Sequence, residues 1–400
     1  MLLQGIRVVE MGVWVAGPAV AGVLADWGAD VVKIEAPSGD PMRAFAKAIA
    51  GIDLPSSPPF NVDNRGKRGV VIDTRTDPGR ALARKLVLGA DVFLTNLRAD
   101  PLARMGLDYE SLAAENPRLI YAHVTGYGLE GPDKDRAGYD IGSFWARSGI
   151  AQLLAPPDGD PVGSRGGFGD HITAITTVGG IAGALFHRER TGEGQRVDVS
   201  LLGCGIYALG WDLQQQIEFG TVMSAGRREE SIAPTVTHFK AGDGRWVWLL
   251  GVETERHWPR LCKGLDREDL LDDERFASAP ARRENARELM TILDARFAER
   301  PLDEWLARFD EVDLWWAPVQ TPAEVVEDPQ ALAAGAFTEM PGLDGGPGRK
   351  VVASPVRFEK VDTRPRAGPP GLGVHTEEVL REAGLAADEI KRLRDAGVLG

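Results

Sequence analysis

The residues of this chain best suited to chemistry fall in one stretch, Gly163 to Gly192. Within it one carboxylate, Asp170, follows the small-residue run Gly166, Gly167 and Gly169 and leads into an apolar, Gly- and Ala-rich segment, Ile172 to Phe186, that reads as a helix. Glycine has no Cβ, so a bulky ligand can come close to the backbone, and free N–H groups beside the carboxylate are placed to stabilise an oxyanion. Such an arrangement presents a single reactive side chain. A structural reading competes with it, because an aspartate just before a helix is a favoured N-cap, worth ~1 kcal/mol with no catalytic role. The local sequence leaves both open.

A second candidate set is basic. Arg75 and Arg98 follow successive predicted strands and Arg104 lies a little further on, so the three could converge on a phosphate by bidentate hydrogen bonding or be ordinary surface charge. The elements that position these residues read as a β/α alternation. Gly5 to Met11 is a short buried strand, Ala16 to Trp27 a helix begun near Pro18, and Ala29 to Glu35 a second strand. Gly69 to Asp73, Ala90 to Asn96 and Leu119 to Thr125 continue the strands, with a helix over Pro78 to Leu88, and Gly194 to Leu202 closes the body. The loop between the first strand and helix, Gly12 to Pro18, lies where a doubly wound sheet binds ligands. Its glycines do not form G-x-G-x-x-G and no Gly-Lys-Ser/Thr follows, so neither a nicotinamide dinucleotide nor a P-loop nucleotide is indicated.

The chain of 400 residues, 43% hydrophobic and 26% charged, is long enough for two domains and a substantial core. A formal net charge of −13 argues against nucleic acid or an acidic membrane as partner, while leaving room for a local basic pocket. Cys204 and Cys262 have no metal-like spacing, and no signal peptide is evident, so a cytoplasmic location is expected. The longest apolar run falls short of the ~20 residues a membrane span needs. Composition changes at about residue 225, where Arg227, Arg228, Glu229 and Glu230 read as an exposed linker. We therefore expect a large domain over 1–224, a smaller α+β domain over 225–320 and a return to the first over 321–400. In the second, His238 to Val252 reads as a hairpin followed by helices, and Trp315 and Trp316 either pack in its core or face a substrate.

Several separated motifs then converge. Gly5 to Glu10, Ala16-Gly17-Pro18, Leu24 to Glu35, Asn64 to Arg68, Leu102 to Leu107, Thr191 to Gln195 and Gly373 to Leu380 together resemble the family III CoA-transferases of the CaiB/BaiF type, over nearly the whole chain. The resemblance implies an α/β fold with a Rossmann-like large domain and a smaller domain, in interlocked homodimers. It implies that Asp170 is the catalytic carboxylate, and that CoA contacts fall on Val15, Ala16, Ile72, Asp73, Thr74, Arg75, Asn96, Leu97, Arg98, Arg104 and Tyr139. The sequence departs from the family's pattern at Ala36, where formate-type members often carry a basic residue, and in lacking a Gly-rich mobile loop in the second domain.

The chemistry so implied moves CoA from an acyl-CoA to a carboxylic acid, with coenzyme A as substrate and no metal or tightly bound cofactor. A carboxylate with an ordinary pKa near ~3.9 is ionised at neutral pH and needs no general base to act as nucleophile. Attack on the thioester gives an aspartyl-acyl anhydride, and returning CoA thiolate gives an aspartyl-CoA thioester. The alternative is an acyl-CoA racemase. The α-methylacyl-CoA racemases resemble this chain and pair the aspartate with a histidine in Gly-His-Asp, where this sequence has Gly138-Tyr139-Asp140. His171, beside Asp170, is the remaining acid/base candidate or a pocket-lining residue. A third reading is a CoA-binding protein without catalysis.

Overall fold

Valines and isoleucines in short runs must bury both faces of their strands, which a parallel sheet covered by helices achieves. In the computed structural model, which describes the chain except residues 55, 157, 223–226, 231–232 and 343–345, these runs form one six-stranded sheet. Its strands are β1 (Arg7–Met11), β2 (Asp30–Glu35), β3 (Arg68–Val71), β4 (Val92–Thr95), β5 (Ile120–Thr125) and β6 (Arg196–Ser200). The order is β3-β2-β1-β4-β5-β6 and every pairing is parallel, as a Rossmann-like α/β fold requires.

Alternation along each strand divides the core into two layers. Val9, Val32, Val70, Phe93 and Tyr121 point to one face, where Leu82, Leu86, Leu102, Leu380 and Ile390 cover them. Val8, Val31, Val92, Leu94 and Ile120 point to the other, against α1 (Ala16–Asp26) and the long helix Phe168–Thr191. Small residues let these helices lie close: a Cβ on Gly22 of α1 would stand 2.8 Å from the Asp63 carbonyl oxygen of the helix Pro58–Asn64.

The described chain divides into two compact units. The first comprises residues 1–152, 163–221 and 333–400, and the second 153–162 and 222–332. In the second, β7 (His238–Lys240), β8 (Trp246–Leu249) and β9 (Trp316–Val319) form an antiparallel sheet. Phe239, Val247 and Leu249 on its inner face pack with Trp258, Phe297, Trp305 and Phe309 from the helices. Trp316 joins that core and donates its indole N–H to Asp310 at 2.9 Å, whereas Trp315 is exposed and packs on His257.

After β6 the chain forms two helices, Leu201–Ala208 and Gly210–Phe219. Two expectations are corrected. The helix read over Ile172 to Phe186 is longer, Phe168–Thr191, because its ends fall outside the apolar run that signalled it. Arg228 is not a solvated linker residue: its guanidinium pairs with Asp294 and donates to the His238 carbonyl at 2.7 Å. The change of composition near 225 lies outside the described residues. Among the described residues no helix is long and apolar enough to cross a membrane, and no group of His, Cys, Asp or Glu is arranged to hold a metal ion.

Candidate active site

In an open parallel sheet, ligands bind at the carboxyl ends of neighbouring strands whose connections diverge. β1 and β4 are such a pair, since the chain runs from β1 out to β3 on one side and from β4 to β6 on the other. A cavity of ≈ 310 Å³ opens there, walled by Val13 to Ala16 after β1, Asn96 to Asp100 after β4, Val124 to Gly126 at the end of β5, residues 134–139, and Asp170.

The loop after β1 is held from two sides. Asn96 clamps it, accepting the Val13 N–H at 3.0 Å and donating to the Val13 carbonyl at 2.8 Å. Beneath it lies a buried charge network. Lys33 Nζ donates to Glu10 Oε1 and the Gly12 carbonyl, each at 2.9 Å, and lies 3.0 Å from Asp40 Oδ2. Lys67 Nζ donates to Glu10 Oε2 at 2.7 Å and to the Pro18 carbonyl at 2.9 Å. Burial alone would raise the Glu10 carboxyl, but the two lysines outweigh it and hold it below its ordinary value. Burial, with Lys33 beside it, pushes the Lys67 ammonium down to about 8. Asp40 Oδ1 accepts the Trp14 N–H at 3.2 Å, and Trp14 takes a left-handed backbone with φ 66°. For a bulky L-residue that conformation costs about 1–2 kcal/mol, and its usual place is at sites where other contacts enforce it.

Asp170 stands in the third position of the helix Phe168–Thr191, whose N-cap is Gly167 with φ 79°. The N-cap reading of Asp170 is thus overturned. The capping carboxylate comes from a distant segment: Asp140 Oδ1 accepts the Gly169 N–H at 3.2 Å. The same bond removes Gly169 from the amides expected to be free for an oxyanion, and the Phe168 N–H is donated to the Arg165 carbonyl at 3.3 Å. The side chain of Asp170, half-buried, makes no hydrogen bond among the described residues. Burial pushes its carboxyl up to about 7, the negative charge of Asp140 and then Asp63 adding to the rise while His171 opposes it. His171 does not share the cavity: its Nε2 is 3.0 Å from Asp63 Oδ1, a hydrogen bond that raises the imidazole above its ordinary value.

Gly169 is required by space. A Cβ there would stand 2.2 Å from the Phe144 ring and 2.6 Å from Asp140 Oδ1. We expect Gly169→Ala to displace both, at about 1–3 kcal/mol for overpacking, and to lower activity. Thermal melts and turnover check this, and an unchanged melting temperature would refute it.

Of the residues singled out in the sequence, Val15, Ala16, Asn96, Leu97, Arg98, Tyr139 and Asp170 line one cavity. Arg98 and Tyr139 are exposed, while Leu97 is fixed by its carbonyl, 2.7 Å from His123 Nε2. Ile72, Asp73, Thr74 and Arg75 follow edge strand β3 and stand outside that wall. Ile72 is buried and bridges to Leu399, and the exposed Arg75 grips Asp73 through Nε at 2.9 Å and Nη2 at 2.8 Å. Arg104 ends the helix Ala99–Arg104, also outside the cavity wall and exposed. The sequence reading gave no role to Trp14, Asp140, Lys134 or Arg136, the first and the last two lining the cavity. The charged loop Gly131 to Gly138 carried a signal for the two bases; Trp14 and Asp140 are distinguished by conformation and long-range contact, which had none.

Comparisons with known proteins agree with this architecture. The sequence profile of CoA-transferase family III matches residues 3–376. The chain is 33% identical to the (R)-2-hydroxy-4-methylpentanoate CoA-transferase of Clostridioides difficile, covering 100% of both chains. It is 32% identical to the cinnamoyl-CoA:phenyllactate CoA-transferase of Clostridium sporogenes, covering 98% of this chain and 96% of that one. Among solved structures, a CAIB/BAIF family protein from Brucella suis superposes with a TM-score of 0.84 at 33% identity, over 95% of this chain and 98% of the other. With a family match along almost its whole length, an enzyme fold and a cavity at the divergence of the sheet, the chain belongs to CoA-transferase family III and is a CoA-transferase.

Proposed function

We propose that Asp170 is the nucleophile of a transfer that moves CoA from an acyl-CoA donor to a carboxylic acid acceptor. The observation that carries this is an unpartnered carboxylate on the wall of the cavity, kept free because Asp140 caps its helix. A carboxylate Oδ attacks the thioester carbonyl, the C–S bond breaks, and CoA leaves as thiolate. The thiolate then attacks the aspartyl carbonyl of the mixed anhydride, releasing the donor acid as carboxylate and leaving an aspartyl-CoA thioester. The acceptor carboxylate repeats the first attack on that thioester, and the thiolate released takes the acceptor acyl group, restoring Asp170. No net proton is moved. The raised basicity of Asp170 strengthens it as a nucleophile, and proximity in the cavity supplies much of the remaining acceleration.

The cavity is sized for the thioester end of CoA, with Val15, Ala16, Asn96, Leu97, Arg98 and Tyr139 around it. The phosphates reach beyond it to Arg104 and to Ile72–Arg75, exposed cations in the same unit favouring that path. Transfer is favoured over α-proton exchange because His171, the neighbouring acid/base group, is bound to Asp63. The working form is an interlocked homodimer. Supporting this, Tyr207, Trp211, Ile217 and Phe219 are 72–88% exposed, and the helix Gly210–Phe219 has no buried residue, an apolar surface of the kind that a partner covers.

Mass spectrometry of the Asp170 peptide, after incubation with a panel of acyl-CoAs and quenching with hydroxylamine, tests the nucleophile. We expect a hydroxamate at Asp170 that forms only with a reactive acyl-CoA. No modification with any donor, together with deuterium exchange at the substrate α-carbon, would reject transfer through this residue. The rate of adduct formation should also fall about tenfold per pH unit below about 7, where Asp170 becomes protonated.

A further inference from the structure

Among the described residues four non-glycine residues take a left-handed backbone, Trp14, Asp158, Asp266 and Asp313. Aspartate tolerates that region by hydrogen-bonding locally; tryptophan gains nothing there for itself. Yet Trp14 is held in it by a buried partner, Asp40, which is paired to Lys33. The result is a ring set into the cavity. Trp14 meets Tyr139 edge to face with centroids 6.0 Å apart, and both line the same cavity as Asp170. The adjoining Val15 side chain lies 3.8 Å from where a Cβ on Gly167 would stand, so this loop abuts the N-terminus of the helix that carries Asp170.

We propose that Trp14 is a specificity-determining residue, whose ring forms with Tyr139 the wall against which the side chain of the transferred acyl group packs. The inference rests on Asp170 being the nucleophile. A reacting carbonyl must come within about 3–3.5 Å of the attacking oxygen, so groups that share a cavity of ≈ 310 Å³ with Asp170 meet the atoms attached to that carbonyl. The carbonyl bears two groups, the CoA sulfur and the acyl side chain; the charged part of the lining, Arg98, Lys134 and Arg136, suits the amide- and phosphate-bearing CoA arm and leaves the aromatic pair to the side chain. An edge-to-face aromatic pair offers a broad apolar surface with little conformational freedom to lose, which favours acids with aryl or branched side chains over short unbranched ones.

The test is the ratio of kcat/KM for 3-phenylpropanoate and butanoate as acceptors with one common donor, in wild type, Trp14→Gly and Trp14→Asn. Glycine and asparagine accept positive φ, so both remove the ring without opposing the loop's backbone. We expect the aryl-to-alkyl ratio to fall at least tenfold in both variants while the melting temperature holds or rises. An unchanged ratio, or equal losses for the two acids, would overturn the inference and leave Trp14 as a loop residue alone. Asp170 hydroxamate formation from butanoyl-CoA is measured in parallel. Its absence in wild type would remove the nucleophile and this inference with it, whereas an adduct in every form with an unchanged ratio rejects only the role of Trp14.

Discussion

Asp170→Asn is expected to lower CoA transfer at least about 10⁴-fold, the order reached when an enzyme loses its covalent nucleophile. Asparagine keeps the shape and the first-turn position but cannot ionise, so no anhydride forms. The same substitution should raise stability at neutral pH. Asp170 titrates at about 7 in the fold against an ordinary 3.8, so the folded state binds more protons through that window. Its contribution is fully present below pH 3.8 and is lost as pH rises through about 7. Thermal melts at pH 8 should therefore place Asp170→Asn above wild type, with the gap closing toward pH 4. A variant that keeps a hundredth of the activity, or melts lower at pH 8, would contradict this account of a carboxylate held in an unfavourable place for its reactivity.

The second large effect is structural. Lys33→Met should destabilise the chain by about 3–5 kcal/mol, the usual result of stripping one partner from a buried ion pair. Lys33 and Glu10 have fully buried side chains, and Asp40 beside them is equally enclosed. Methionine fills the volume, but it leaves the Gly12 carbonyl without its donor and Asp40 without its counter-charge. Chemical denaturation reads the loss as a lower urea midpoint, and kcat/KM should fall as the loop carrying Trp14 loosens. By contrast, neutralising Arg364, exposed and paired to exposed Asp362, should leave the midpoint where it is. Equal midpoints for wild type and Lys33→Met would show that the network carries no stability.

Elements set by local pattern were legible. The apolar runs that became β1 to β5 sit within a residue or two of where the hydrophobic pattern places them, because a strand buried on both faces needs a nearly continuous apolar run, whereas β6 alternates apolar with exposed polar residues. Asp170 stood out for the glycines before it, and those glycines do matter, Gly169 for space and Gly167 for its φ. The reason Asp170 is free was not legible, since its helix is capped by Asp140, 29 residues away from Gly169 along the chain. The family resemblance marked Asn96 as a ligand contact, while the structure commits both ends of its amide to Val13. Such roles depend on which strands become neighbours, and β1 and β4 are separated by two other strands in sequence.

The edge of the sheet carries a consequence for the order in which the protein is made. β3 has β2 on one side only, and late segments of the chain cover its other side. His375 exchanges hydrogen bonds with Gly69, Thr376 Oγ1 accepts the Val71 N–H at 3.1 Å, and Val398 accepts the Asp73 N–H at 2.8 Å. Chains emerge from the ribosome N-terminus first, so some 300 residues of synthesis separate β3 from its cover. Until then the nascent protein holds an unpaired strand edge open to its neighbours on a polysome. The exposure ends only when the last helices dock, which ties the solubility of the newborn chain to residues far from any substrate.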